Sequence, residues 1–355
     1  MLAFTNRELE KRSDASAFTT RYLPAAEALG FAQLSTGSGG TWQVGDLHVD
    51  ASEADAIVAL MAVFAGPRPV LVYLHGNNNT PDSCFERCAL FDSLFDVEVV
   101  GFSWPSEGCL PDGTLGVGTM FDSSGDPDSL AVVIPQNRTS GGIQDIVRRY
   151  HQAQVNAKNS IDALARFLRL VGAARLDADR QPYSLAVHSL GNFFLQNTLA
   201  IAGVDESLGE AHNVALLAAC ADAAGHREWL GKVACAGQVF VTFNNADTVL
   251  AGARIADNGQ LKLGAVPGTD LLETPSTRYI DFTGSSTDLL GHNYFVSGRM
   301  TGQKKKVLKR IFSSQRDIQG SEIARKVYPV GCDERQLTCS MAAPRGTAEA
   351  DGGGG

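Results

Sequence analysis

The chain has 355 residues, with 30 basic against 39 acidic side chains and a formal net charge of −9. That balance lacks the basic surface needed to track a phosphate backbone, so nucleic acid is not an expected partner. With 44% hydrophobic residues but no apolar run long enough to span a membrane and no secretory pattern in Met1–Ala17, the length fits one soluble α/β domain with extensions, placed by default in the cytoplasm. The seven cysteines, at 84, 88, 109, 220, 235, 332 and 339, lack the spacing of a disulfide scaffold and read as reduced thiols. Neither Cys84/Cys88 nor Cys332/Cys339 has histidines at metal-site spacing, so no metal is expected.

Residues 1–40 read as a polar, partly irregular leader that ends in the loop Ser35–Gly40, and the ordered sheet is expected only after it. Trp42–Val44 and Leu47–Val49 suggest short strands, and Ala54–Phe64 fits a helix or a strand. Val70–Leu74 reads as a buried strand, Cys84–Phe95 as a helix and Val97–Ser103 as a second buried strand. Unbroken apolar runs alternating with helices are what a mostly parallel sheet covered on both faces requires. Residues 105–142, rich in Gly, Asp, Ser and Pro, exceed an ordinary connection and read as a lid-like or disordered insertion after a central strand. A helix is predicted over Tyr150–Val171, where Ile161, Leu164, Ala165, Leu168 and Val171 share one face. Strands are predicted at Val214–Ala218, Val239–Phe243 and Tyr279–Phe282. The extension 301–355 starts basic, at Lys304–Lys306, and ends in four glycines; a solvated helix followed by disorder is expected.

Between those strands lies Leu185-Ala186-Val187-His188-Ser189-Leu190-Gly191-Asn192. An apolar run that meets a serine and leaves through a glycine into a helical pattern is the form of a nucleophile elbow. Ser-x-Gly also occurs at Ser35, Ser38, Ser106, Ser123 and Ser140, but four of these sit in loop-forming clusters, and Ser106 is followed by Cys109-Leu110-Pro111-Asp112-Gly113, which cannot open a helix. Only Ser189 joins strand to helix. Val187 stands where the usual motif has glycine, so small or adaptable neighbours must make room for the turn.

A serine hydroxyl needs a base within hydrogen-bond reach and a group that orients the base. Of seven histidines, His292 follows the last predicted strand, at the sheet end where ligands bind, although it also fits the start of a helix. Between Ser189 and His292, Asp247 and Asp222 each follow a strand. Asp247 is preferred because it precedes the last strand, and Asp222 is the alternative acid. Oxyanion donors are expected from the backbone amides of Leu190, directly after the serine, and Asn77, in the turn His75-Gly76-Asn77. His75, Gly76, Trp104 and His188 are placed around the substrate pocket.

Together with Val72–Asn78, Phe102–Pro105, Asn245–Leu250 and Gly291–Tyr294, the Ser189 motif resembles the α/β-hydrolase fold, and more narrowly its DUF900 branch, over residues 65 to 300. The resemblance implies Ser189 as nucleophile, Asp247 as acid and His292 as base, in a hydrolase domain spanning 41–300. It implies an acyl-enzyme route on a carboxylic ester, with an amide or lipid acyl bond as a variant and no cofactor. The expected partner is a small ester or lipid-like molecule. Two other readings remain open at this point: acyl transfer by the same three residues, and a silent hydrolase fold serving as a binding scaffold.

Overall fold

A computed structural model of the chain describes residues 1–22, 27–37, 40–114, 141–178, 182–284, 288–297, 300, 302–314 and 338–340. The chain runs through β1 (Leu2–Thr5), β2 (Arg7–Leu9), β3 (Phe18–Tyr22), β4 (Gly30–Thr36), β5 (Trp42–His48), α1 (Glu53–Phe64), β6 (Val70–Leu74), α2 (Pro81–Phe95) and β7 (Glu98–Ser103). Then come α3 (Gly141–Asn159), α4 (Ile161–Ala178), β8 (Tyr183–His188), α5 (Leu190–Thr198), α6 (Val204–Gly209), β9 (Ala211–Leu217) and α7 (His226–Leu230). The last elements are β10 (Gln238–Phe243), α8 (Thr248–Ala256), β11 (Thr277–Asp281), α9 (Gly302–Phe312) and β12 (Thr338–Ser340).

A strand covered on both faces buries every side chain, and β1, β6, β8 and β9 do so along their whole length. They belong to a ten-stranded sheet of order β12-β11-β10-β9-β8-β6-β7-β1-β4-β5. Pairing is parallel from β12 through β1, and β4 runs antiparallel to both β1 and β5. The architecture is the α/β fold read from the sequence. β6 has β7 on one side and β8 on the other, so the direction of winding reverses there. In such a sheet the crevice at the strands' carboxyl ends, beside the reversal, is where ligands bind.

The ambiguous run 54–64 is helix α1. Its start is fixed by Ser52, whose hydroxyl accepts the Asp55 N–H at 3.1 Å, a cap worth about 1 kcal/mol. α2 starts in the same way, with Thr80 capping the Ser83 N–H and Pro81 preset for the first turn.

Three expectations are corrected. Residues 1–40 are not a leader outside the sheet, because β1 lies inside it between β7 and β4. The run Leu2–Thr5 is short and followed by charged residues, which conceals a fully buried strand. The helix predicted over 150–171 is two helices broken at Ser160, whose hydroxyl accepts a hydrogen bond from Asn6 Nδ2 at 2.7 Å. The start of the extension is not a solvated helix: Val307, Leu308, Ile311 and Phe312 of α9 are buried, and the Ile311 carbonyl accepts from Ser184 and Asn213. The opening of the insertion is also buried, at Ser106, Glu107 and Cys109. Residues 115–140 of the insertion, with Ser123 and Ser140, lie outside the described residues, as do Ser38, Cys332 and the tail positions 315–337 and 341–355.

The Phe312 ring meets Phe91 and Phe95 edge-on at 5.1 and 4.9 Å between centroids. Phe312→Ala is expected to lower unfolding free energy by about 3–5 kcal/mol in urea denaturation. An unchanged midpoint would show that α9 is not part of the folded core.

Candidate active site

The elbow begins where β8 runs out. Ser189 takes φ 50° and ψ −123°, outside the regions open to ordinary L-residues, a strain of about 1–3 kcal/mol that its surroundings must hold. Its N–H donates to the Leu217 carbonyl at 2.9 Å, and its carbonyl accepts from the backbone N–H groups of Cys220 and Asn192, each at 3.0 Å. Asn192 also turns its side-chain amide back, donating to the carbonyls of Val187 at 2.9 Å and Ser189 at 3.1 Å. The turn is thus clamped from β9 on one side and from α5 on the other.

Val187 is accommodated as an ordinary strand residue, fully buried and in register with Leu74 and Leu216. The space comes from two other glycines. A Cβ on Gly191 would stand 2.7 Å from the His75 carbonyl oxygen, and a Cβ on Gly76 would stand 2.6 Å from Ser189 Cβ and 3.3 Å from its Oγ. The loop after β6 therefore passes directly over the serine. Leu190 is the first residue of α5, so its N–H has no carbonyl one turn back within the helix and lies at the positive end of the helix dipole. Asn77 lies next to Gly76 in the loop over Ser189, and its carbonyl accepts from Asn79 Nδ2 at 2.9 Å.

His292 Nδ1 donates to Asp247 Oδ2 at 2.6 Å, with both side chains fully buried. Asp247 is the N-cap of α8, and its other oxygen accepts the Leu250 N–H at 2.9 Å, so the cap fixes the carboxylate that orients the imidazole. Asp222 does not share this role: it pairs with Lys262 Nζ at 2.7 Å and its side chain is half exposed, which overturns it as the alternative acid. The His292 ring lies 4.7 Å, centroid to centroid, from that of His188, directly before Ser189. The His292 and Asn293 N–H groups both donate to Asp288 Oδ2 at 2.9 Å. Asn244 Nδ2 donates to the Gly291 carbonyl at 2.7 Å, tying the histidine loop to the end of β10.

The side chains assigned to the substrate pocket are built into the scaffold instead. His75 and Trp104 are fully buried and stacked, with ring centroids 5.6 Å apart. His75 Nε2 accepts the Trp104 backbone N–H at 3.0 Å, which leaves the proton on Nδ1 to donate to the Gly76 carbonyl at 2.9 Å, while Trp104 Nε1 donates to the His75 carbonyl. Every polar atom of the two rings thus holds the loop. Burial pushes the His75 pKa down to about 3, against the bond to Gly76 and aided by Arg7 and Arg87. Burial, then the neighbouring His292, Arg87 and His75, also hold His188 well below the ordinary histidine range, although it hydrogen-bonds the His292 main chain. His188 packs between His292 and Phe295, and of the four residues only Gly76 faces the serine.

Sequence reasoning missed Asn192, Asn244, Asp288 and Arg7. A polar residue on the apolar face of a predicted helix is a signal for Asn192, and an aspartate four residues before the base is one for Asp288. Nothing local marks Asn244 or Arg7, whose partners are remote in sequence.

Gly76→Ala forces a methyl group onto Ser189 and is expected to cost about 1–3 kcal/mol in chemical denaturation. Wild-type stability there would mean the loop stands off the serine. His75 binds its proton only near pH 3 when folded but near 6.5 when unfolded, so the unfolded chain holds the extra proton between those values. Stability is therefore complete above about pH 6.5 and declines toward pH 3, by at most ~1.4 kcal/mol per pH unit for this one proton. In His75→Gln the plot of unfolding free energy against pH should flatten over that window by one proton's slope. An identical slope would exclude a neutral buried His75.

No curated protein and no solved structure matches the chain. A family model does, over residues 61–307, described as alpha/beta hydrolase of unknown function, DUF900. That match takes in Ser189, Asp247 and His292 together with strands β6 to β11, and the chain belongs to the DUF900 family of alpha/beta hydrolases.

Proposed function

We propose that the protein is a serine hydrolase of carboxylic esters. The observations that support the reading are a buried His292–Asp247 hydrogen bond and a His292 ring packed on His188, the residue directly before a serine in strained elbow geometry. Ser189 Oγ attacks the ester carbonyl carbon while His292 Nε2 takes its proton, and Asp247 keeps the Nδ1 proton in place and stabilises the imidazolium. The Leu190 and Asn77 amides receive the developing oxyanion. As the tetrahedral intermediate collapses, the C–O bond to the alcohol breaks and His292 returns the proton to the departing oxygen, leaving an acyl-Ser189. Water then attacks the acyl carbon, giving a proton to His292, and the serine leaves with that proton as the acid is released. No step calls for a metal or organic cofactor.

A fluorophosphonate probe should label the folded protein, and Ser189→Ala should abolish labelling. Against p-nitrophenyl esters of graded chain length, Asp247→Asn should reduce kcat/KM by about 10³–10⁴-fold, because the imidazole would be held in the wrong tautomer. Labelling that survives Ser189→Ala would sink the proposal. The ester series also identifies the acyl length preferred.

A further inference from the structure

β1 and β7 pair in parallel, with Thr5 opposite Ser103, so the chain leaves β1 at the carboxyl edge of the sheet and delivers Arg7 to the site. There the Arg7 side chain is fully buried. Its Nη2 donates to the Trp104 carbonyl at 2.6 Å, to Glu107 Oε2 at 2.7 Å and to the Asn79 carbonyl at 3.3 Å. Nε donates to Ser103 Oγ at 3.2 Å and Nη1 to the Thr19 carbonyl at 3.4 Å. One guanidinium thus joins the loop after β6, the loop after β7 and strand β3.

The first two loops are also tied to each other. The Asn78 N–H donates to the Ser106 carbonyl at 2.8 Å and the Asn79 N–H to Ser106 Oγ at 2.9 Å, while Trp104 holds His75 from two sides. The short loop His75–Asn79, which carries Gly76 over Ser189 and presents the Asn77 amide, is therefore pinned at both ends: at His75 by Trp104, and at Asn79 by Ser106 and Arg7. A buried charged pair is an expensive way to gain stability alone, since apolar side chains of the same volume serve as well or better. What it provides is direction, through five donors in one rigid plane that an ammonium group cannot reproduce.

We propose that Arg7, held by Glu107, is a positioning residue that sets the oxyanion loop against Ser189. The inference rests on the serine-hydrolase reading. Arg7→Lys keeps the charge but loses the fork, and Glu107→Gln keeps the shape but loses the charge. With diethyl p-nitrophenyl phosphate as titrant to count competent serines, kcat per titrated site on a p-nitrophenyl ester should fall about 10–100-fold in Arg7→Lys and less in Glu107→Gln, with KM within about twofold. A merely structural role would lower the number of titrated sites and leave kcat per site unchanged. Hydrogen–deuterium exchange adds a readout independent of chemistry: amides 78 and 79 should exchange about tenfold faster in Arg7→Lys while those of β6 do not change.

Wild-type kcat per titrated site in both variants overturns the proposal, as does unaltered exchange at 78 and 79. If the wild-type protein takes up no titrant, the serine-hydrolase reading fails, and the exchange data still decide whether Arg7 braces the loop.

Discussion

The backbone at Ser189 adopts a conformation that an L-residue keeps only under external constraint, and the surrounding structure is organised to supply it. β9 and the residues after it hold both the N–H and the carbonyl of the serine, and Asn192 closes the turn from within α5. The glycines at 76 and 191 allow the β6 loop to lie against the turn without collision. Both glycines are therefore consequences of the elbow rather than independent features. The place usually given to a small residue two before the serine can be filled by Val187 because the close contacts have moved elsewhere.

The electrostatics of the site follow from how its bases are buried. His75 and His188 are held below the ordinary histidine range by desolvation and by nearby cations, while His292 is the histidine hydrogen-bonded to Asp247. Asp247 answers to a helix N-terminus through one oxygen and to the imidazole through the other. Its geometry is thereby fixed by α8 as much as by His292. The histidine loop is secured in the same manner, by Asp288 beneath its amides and by Asn244 at Gly291.

Much of the central fold was legible because parallel strands buried on both faces leave long apolar runs, as in Val70–Leu74 and Leu185–His188. The chain order of Ser189, Asp247 and His292 is readable in the sequence, whereas the hydrogen bond of Asp247 to His292 and the pairing of Asp222 with Lys262 exist only in three dimensions. β1 was hidden because four residues are too few to show a period. The charged segment after it reads as solvent-facing, although Arg7 is buried there. The pocket roles given to His75 and Trp104 failed for a different reason: sequence places a residue near a site but does not say whether its polar atoms face a ligand or are already spent on the backbone.

β1 fills a place inside the sheet although it precedes the segment matched by the family model, which opens only at residue 61. A fragment cut to those family limits would lose β1, β4 and β5 from the sheet and leave β7 as an edge, with the backbone donors and acceptors that face β1 open along a largely buried strand. Such an edge invites pairing with other chains. The segment matched by the family model and the central sheet of this protein thus have different boundaries, and the strands outside the match cover the edge that the match alone would leave open.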